Sequence, residues 1–292
     1  MSRWMERTLI VFCWICGLAL LAAITAIIGY LLYKGMGTVN LSLIFGSTPA
    51  VDALLLRKHV FAGLFPAMVG TVAVVTLSVG FAIPVGIASG IYMAEYARGG
   101  VKTVLGFFFD ILAGVPSIVI GLFGFALAIF LHKHFSSIYP SLFISSLSLA
   151  VLVLPYIIRS TQFALENLPA ATKLIAVALG ATKLQNIVYV LIPKSLSGIF
   201  SGVILATGRC AEDTAVILLT GAVAFAGVPK SLFAQYEALP FYIYYISSQY
   251  ANQQELLSGY GASIILLLIC ALLFFIASMI RKGVTYQALY RA

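Results

Sequence analysis

The sequence predicts an all-α protein that crosses a membrane six times, and three observations carry that expectation. The chain of 292 residues is 62% hydrophobic and only 9% charged, whereas soluble domains carry about 25% charged residues. Six stretches are long and apolar enough for a bilayer, whose hydrocarbon core takes about 20 residues of helix. Lysine and arginine are spread unevenly over the segments that join those stretches. A total of 17 Lys and Arg with 9 Asp and Glu cannot cover a water-soluble surface of this size. A soluble enzyme, a disordered chain and a nucleic-acid-binding domain are thereby excluded. The net charge of +8 has another use, in the cytoplasmic loops of a membrane protein.

The stretches run over 8–33, 67–93, 104–131, 138–158, 195–223 and 260–280, within a single transmembrane domain covering 1–292. The first is too long for the apolar region of a signal peptide and lacks a small-residue cleavage site, so a retained helix is expected. Between the stretches lie two longer segments (34–66 and 224–259), two short turns (94–103 and 132–137) and one loop (159–194). With the N-terminus inside, the inner segments hold Arg3, Arg7, Arg98, Lys102, Arg159, Lys173, Lys183, Lys194, Arg281, Lys282 and Arg291. The outer ones hold Lys34, Arg57, Lys58, Lys133 and Lys230. This asymmetry places both termini in the cytoplasm, as an even number of spans permits. Arg209 lies within a span.

Prolines 84, 116 and 155, with Gly80, Gly86, Gly114, Gly121 and Gly124, put kinks and close approaches into the second to fourth stretches. Such helices surround pathways and also fill tightly packed bundles. Tyr236, Phe241, Tyr242, Tyr244, Tyr245, Tyr250 and Tyr260 crowd the second outer segment, either at headgroup level or packing short helices together. Cys13, Cys16, Cys210 and Cys270 all lie in apolar runs, so no disulfide framework is expected. His132-x-His134 has no third ligand nearby, and His59 stands apart, so no metal site is expected. Glu95 and Asp110 fall near inner boundaries and are expected to be solvated. No glycine is followed by lysine, which excludes a P-loop, and no H-E-x-x-H or G-x-S-x-G motif offers catalysis. No catalytic residue is assigned.

The 159–194 loop does not read as a linker. Leu174, Ile175, Val177, Ala178 and Leu179 form one apolar run; Ile187, Val188, Val190, Leu191 and Ile192 form a second. With Gly180 between them and Pro193 after them, this predicts two short amphipathic helices bent at Gly180 under the membrane, the second ending at Pro193.

The residues Ala178-Leu179-Gly180-Ala181-Thr182-Lys183, followed by Ile192-Pro193 and Gly198-Ile199, resemble the EAA loop of ABC-importer permeases. Further resemblances follow in order along the chain. They are Gly90-Ile91-Tyr92-Met93-Ala94-Glu95-Tyr96-Ala97, the run from Ala113 to Phe123 (AGVPSIVIGLF), Leu154-Pro155-Tyr156-Ile157-Ile158-Arg159-Ser160-Thr161, and Gly208-Arg209 with Asp213-Thr214-Ala215. Together they cover about 60–280 and resemble the A-type permeases of phosphate-specific (Pst) ABC importers, of the binding-protein-dependent transport inner-membrane component family. The sequence departs from that pattern at three places: Leu174 stands for the glutamate of the EAA loop, Gln162 for the acid of "RTTE", and Glu212-Asp213-Thr214 for "GET".

The resemblance implies the type I ABC importer permease fold and the pore of an ATP-driven phosphate importer in the inner membrane. It implies pairing with a related C-type permease, two copies of a cytoplasmic ABC ATPase and an extracytoplasmic phosphate-binding protein. ATP and Mg would be bound by the ATPase; no cofactor is expected in this chain, and lipid surrounds it. Leu174, Ala178, Leu179, Gly180, Ala181 and Lys183 would dock on the ATPase. An arginine within a span costs several kcal/mol unless it faces a cavity or a partner, and guanidinium suits an oxyanion. The expected pathway residues are therefore Arg209, Arg159, Asp213, Glu212 and Thr214, with Asp213 as counter-ion of Arg209 at i+4. A bare Arg209–Asp213 ion pair is the alternative for those residues. Rival functions are a same-fold permease for sulfate, molybdate or tungstate, a secondary transporter and an integral membrane enzyme.

Overall fold

The computed structural model describes residues 3–46, 48–49, 63–135 and 139–290. Arg57, Lys58, His59, Arg291 and the start of the fourth stretch at Ile138 lie outside the described residues. Helix α1 (Arg3–Gly35) is followed by the short α2 (Leu41–Phe45) and by α3 (Phe65–Ile91), which runs on as a π-helical turn over Tyr92–Tyr96. Then come α4 (Gly99–Gly114), α5 (Ser117–His134), α6 (Leu142–Glu166) and α7 (Ala170–Ala178). Helix α8 (Lys183–Asn186) passes through a π-helical turn (Ile187–Leu191) into α9 (Ile192–Glu212), and α10 (Ala215–Thr220), α11 (Leu239–Gln249) and α12 (Gln253–Tyr290) complete the chain. Among the described residues six helical stretches are long and apolar enough to span: Trp4–Gly35, Phe65–Tyr96, Ser117–His134, Leu142–Glu166, Lys183–Glu212 and Gln253–Tyr286.

Three expectations about boundaries are corrected. The third stretch, 104–131, is two helices, because Val115 is extended (φ −67°, ψ 128°) ahead of Pro116. Gly114 weakens the helix at the position where the proline removes a hydrogen bond. Pro84 and Pro155 stay inside continuous helices; near both, a Cβ on Gly86 would come within 2.7 Å of Ile157, so α3 and α6 brace each other. The fifth stretch, 195–223, breaks at Asp213, which is extended (ψ 122°) and whose Oδ1 accepts the Val216 N–H at 2.9 Å. A short polar side chain that captures a backbone donor competes with helix continuation in this way. Finally, Pro193 ends nothing: it sits in the first turn of α9, directly after the π-turn. The i→i−5 bond from the Ile192 N–H to the Ile187 carbonyl lets the helix pass the proline.

Helix α6 is the centre of the bundle. Leu149, Val153, Ile157, Ile158 and Leu165 are fully buried along it. Small residues let its neighbours approach closely, as association without a hydrophobic drive requires. A Cβ on Gly90 of α3 would lie 2.5 Å from Thr161, one on Gly124 of α5 would lie 2.1 Å from Ser148, and one on Gly202 of α9 would lie 2.4 Å from Ser160. At the end of the bundle away from the 159–194 loop, the chain after α10 turns back through an Ala222–Tyr236 bridge. There the Leu142 and Phe143 N–H groups, first of α6, donate to the carbonyls of Ala234 and Leu232 at 3.0 and 2.8 Å.

The aromatics of the 224–259 segment divide. Tyr236 is fully buried, whereas Tyr244 and Tyr250 are exposed. The Tyr242 hydroxyl pairs with that of Ser258 at 3.1 Å, which ties α11 to α12. Cys13 and Cys16 are exposed on α1.

Gly202→Val forces α9 off α6 and is expected to destabilise the protein by about 1–3 kcal/mol, seen as a lower melting temperature in detergent. Gly17→Val, where nothing lies within 4 Å of the added Cβ, leaves the melting temperature unchanged.

Candidate functional site

Two surfaces carry chemistry: the loop between α6 and α9, and one face of α9. In the loop, Gly180 adopts φ +85°, a conformation costly to other residues, and so turns α7 into α8. Thr182 then caps α8 by accepting the Gln185 N–H while the Gln185 Oε1 accepts the Thr182 N–H at 2.8 Å. Asn186 donates to the Lys173 carbonyl at 2.8 Å and so locks α8 onto α7. Beneath them Leu165, Ile187 and Leu191 form a buried cluster. With those residues inward, Leu174, Ile175, Leu179, Leu184, Val188 and Tyr189 point outward, Leu179 at 84% exposure. Ala178 and Gly180 are exposed with them and Ala181 is half-buried. An apolar face on this scale is unusual unless something covers it.

Lys183 lies 4.2 Å from the centre of the Tyr96 ring and donates to the Glu95 carbonyl. The Glu95 carboxylate is 3.7 Å from Lys173 and its side chain is only 15% exposed. Glu95 is therefore a tether for the loop and not the solvated group the sequence predicts.

From this tether a ladder of charges climbs the α4–α6 contact. Lys102 pairs with Glu166 at 2.6 Å, and Gln162 donates to Glu166 at 3.0 Å. Arg159 donates to Gln162 Oε1 at 3.0 Å, to the Gly106 carbonyl at 2.7 Å and to Asp110 at 2.5 Å. Asp110 is solvated as expected, its side chain 66% exposed, and it also pairs with Arg159. The amide at 162 accepts from a cation and donates to an anion at once, which the acid of the family pattern cannot do.

Arg159 and Arg209 do not meet. Ser160 is level with Gly202, and Arg209 lies seven residues beyond Gly202, about 10 Å along the axis. Arg209 also pairs with a different acid than expected: its Nη1 donates to Glu212 at 2.6 Å. Asp213 is buried and engaged as the cap of α10, and a carboxylate at a helix start is favoured by the backbone dipoles. Thr214 follows it, half-buried, with no side-chain cap bond. The Arg209 Nε is buried without a hydrogen-bond partner.

Helix α9 is strongly two-faced. Ser195, Ile199, Gly202, Val203, Ala206, Thr207 and Cys210 are buried against the bundle. Lys194, Ser197, Ser201, Leu205 and Glu212 are exposed, with Arg209 at their edge. At 100° per residue these exposed positions share one stripe. The stripe is polar, whereas the exposed positions on α1 (Phe12, Trp14, Leu18, Leu21) and α12 (Leu268, Leu272, Phe275, Met279) are apolar. Lipid suits the second kind of surface; the first needs water or another chain. In the sequence Lys194 counts among the loop charges and Ser197 and Ser201 sit inside an apolar stretch, and only the spacing 194, 197, 201, 205, 209, 212 marks them as one helix face.

A cavity of about 440 Å³ opens at the end of the bundle away from the loop, between α2, α11 and the start of α12. It holds Glu237 and Glu255 with Phe241, Tyr242 and Tyr245, and no lysine or arginine among its described residues. Burial pushes the Glu237 carboxyl up, and the Gly227 N–H at 2.7 Å partly offsets this. Two carboxylates without a cation make it a poor anion site. Among the described residues no three His, Cys, Asp or Glu side chains converge.

Spanning helices packed on a central α6, with one polar face turned outward and an exposed apolar loop at one end, define a membrane permease subunit. The chain belongs to the binding-protein-dependent transport system inner membrane component family, whose model matches residues 86–286. It is 30% identical over 229 residues to the phosphate transport system permease protein PstA 1 of Mycobacterium tuberculosis H37Rv, covering 78% of this chain and 72% of that one. It is also 30% identical over 246 residues to PstA of Haemophilus influenzae, covering 84% and 83%. An inward-facing MetNI methionine ABC transporter structure shares the fold, with a TM-score of 0.58, 20% identity, and coverage of 81% of this chain and 99% of that one. The fold is that of type I ABC importer permeases.

Asp213→Asn keeps the α10 cap and is expected to retain the melting temperature, because Asn and Asp cap equally well. Asp213→Ala is expected to cost about 1–2 kcal/mol. Equal losses in the two variants would instead assign Asp213 an essential charge.

Proposed function

We propose that this chain is one half of the membrane pore of an ATP-driven phosphate importer, with both termini in the cytoplasm. It receives phosphate from an extracytoplasmic binding protein, pairs with a C-type permease and is driven by two copies of a cytoplasmic ATPase that bind ATP and Mg. The observation that carries the pore reading is the polar stripe of α9, set against the apolar exposed faces of α1 and α12. The names of the relatives, both phosphate transport permeases, supply the substrate.

In this reading the stripe is one wall of the pathway and Arg209 its anion-binding group. Glu212 takes one of the five guanidinium donors, which leaves others for a phosphate. The acid also keeps that contact weak, as passage requires, since an ion held tightly does not leave. The Arg159 ladder joins α4 to α6 and serves the pathway by holding its scaffold rigid. On the cytoplasmic side Leu174, Ala178, Leu179, Gly180, Ala181 and Lys183 meet the ATPase. There Leu174, in place of a glutamate, adds apolar area to the contact. Closing of the ATPase pair pushes α7 and α8. That push passes through the Asn186–Lys173 bond and the Lys173–Glu95 pair to α9 and α3.

The test is reconstitution with the permease partner, ATPase and binding protein in proteoliposomes, followed by uptake of radiolabelled phosphate. ATP-dependent uptake, resistant to excess sulfate, molybdate or tungstate, is expected; full transport by the lone chain would overturn the proposal. Arg209→Gln is expected to lower uptake about 10- to 100-fold, the worth of one charge-assisted contact, while the complex still assembles.

A further inference from the structure

Of the inner cations, four are held by the fold, whereas Arg7, Arg98, Arg281, Lys282 and Lys194 make no ion pair among the described residues, and of these only Lys194 lies on the polar face of α9. Lys102 pairs with Glu166, Lys173 with Glu95 and Arg159 with Asp110, and Lys183 donates to the Glu95 carbonyl over the Tyr96 ring. Each is held by the fold. Lys194, by contrast, is exposed and makes no ion pair or side-chain hydrogen bond among the described residues. Its neighbour Ser195 is turned the other way and donates to the Ala164 carbonyl at 3.3 Å, which fixes the rotation of this turn of α9 against α6. Lys194 therefore projects from the face that carries Ser197, Ser201, Leu205 and Glu212.

Fifteen residues separate Lys194 from Arg209, about 22 Å at 1.5 Å per residue. That is most of the roughly 30 Å thickness of a hydrocarbon core. One face thus has a guanidinium near one end and an ammonium near the other. Two serine hydroxyls lie between them, and Leu205 is the apolar interruption. The two cations also suit their ends. Arg209 presents a planar fork for a defined contact, whereas lysine is a flexible, strongly hydrated point charge that suits a site from which an ion leaves. The fold removes the expected second cation, Arg159, from this face and leaves Lys194 in its place.

We infer that Lys194 is the inner anion station of the translocation pathway, receiving phosphate that has passed Arg209 along the Ser197–Ser201 face. This rests on the proposed phosphate-importer function. A lysine that anchors α9 at the lipid interface is the competing role, and it predicts a different response to substrate.

The experiment uses the assembled transporter in proteoliposomes, with Cys13, Cys16, Cys210 and Cys270 replaced by serine or alanine. Lys194→Gln is expected to lower the maximal uptake rate about tenfold, one lost charge-assisted contact. The half-saturating phosphate concentration should stay unchanged, because capture precedes this step. Lys194→Arg retains uptake. For Lys194→Cys, 2-aminoethyl methanethiosulfonate, which restores a positive charge, is expected to recover uptake, and the 2-sulfonatoethyl reagent is not. Phosphate slows both modifications. A lipid-interface anchor gives modification rates indifferent to phosphate, and that result, or normal uptake by Lys194→Gln, overturns the inference. If the transporter with its natural cysteines and Lys194 fails to move phosphate, the importer proposal itself has failed. A Lys194→Gln complex that does not assemble leaves the protection measurement on Lys194→Cys to decide.

Discussion

The close packing of α6 against α3, α5 and α9 is the constraint on which the rest of the structure depends. In a bilayer, helices gain nothing by hiding apolar surface from one another, so they are held by van der Waals contact at short range. Gly90, Gly124 and Gly202 supply that range, each too close to α6 to accept a Cβ without movement. Because Gly202 meets Ser160 and Ser195 reaches the Ala164 carbonyl, the rotation of α9 about its axis is fixed. That rotation turns Ser197 and Ser201 outward and Ile199 and Val203 inward. The polar stripe lies on one face because the opposite face of the same helix is committed to the bundle.

The same packing sorts the charges. Arg159 lies one position from Ser160 on α6, yet the 100° between them points it to α4, where Asp110 and the Gly106 carbonyl hold it. Arg209 has, among the described residues, one side-chain hydrogen bond, to Glu212. Charges with full sets of partners stiffen the fold, and a cation with donors left over can meet a mobile ion. The 159–194 loop follows the same division. Leu165, Ile187 and Leu191 fasten it from beneath, while Leu179 and its neighbours face outward. A push on the exposed face therefore reaches α6 and α9 through fixed contacts.

Membrane residence, the number of spanning helices and the helix–turn–helix character of the 170–186 segment were legible in the sequence. Composition, twenty-residue apolar runs and a glycine at a turn act locally, and no distant contact can reverse them. The helix ends were less legible. Proline reads the same at 84, 116, 155 and 193, but only Pro116 separates two helices, and a π-turn absorbs Pro193. What decides is whether a neighbour braces the helix or a local side chain rewards a break, as Asp213 does at Val216. The site was legible in part. Arg209 stands out as a charge in an apolar run, whereas the choice of Glu212 over Asp213 depends on a helix end that spacing alone does not reveal.

By itself the sequence determined that this protein lives in a bilayer, how many times it crosses and which of its segments carry charge, since these follow from transfer free energies summed over neighbouring residues. Only the tertiary structure decided which charges are spent on the fold and which keep donors unspent. Seventeen cations look alike in a sequence. Each one's role depends on which face of its helix is buried, and so on contacts between residues tens of positions apart.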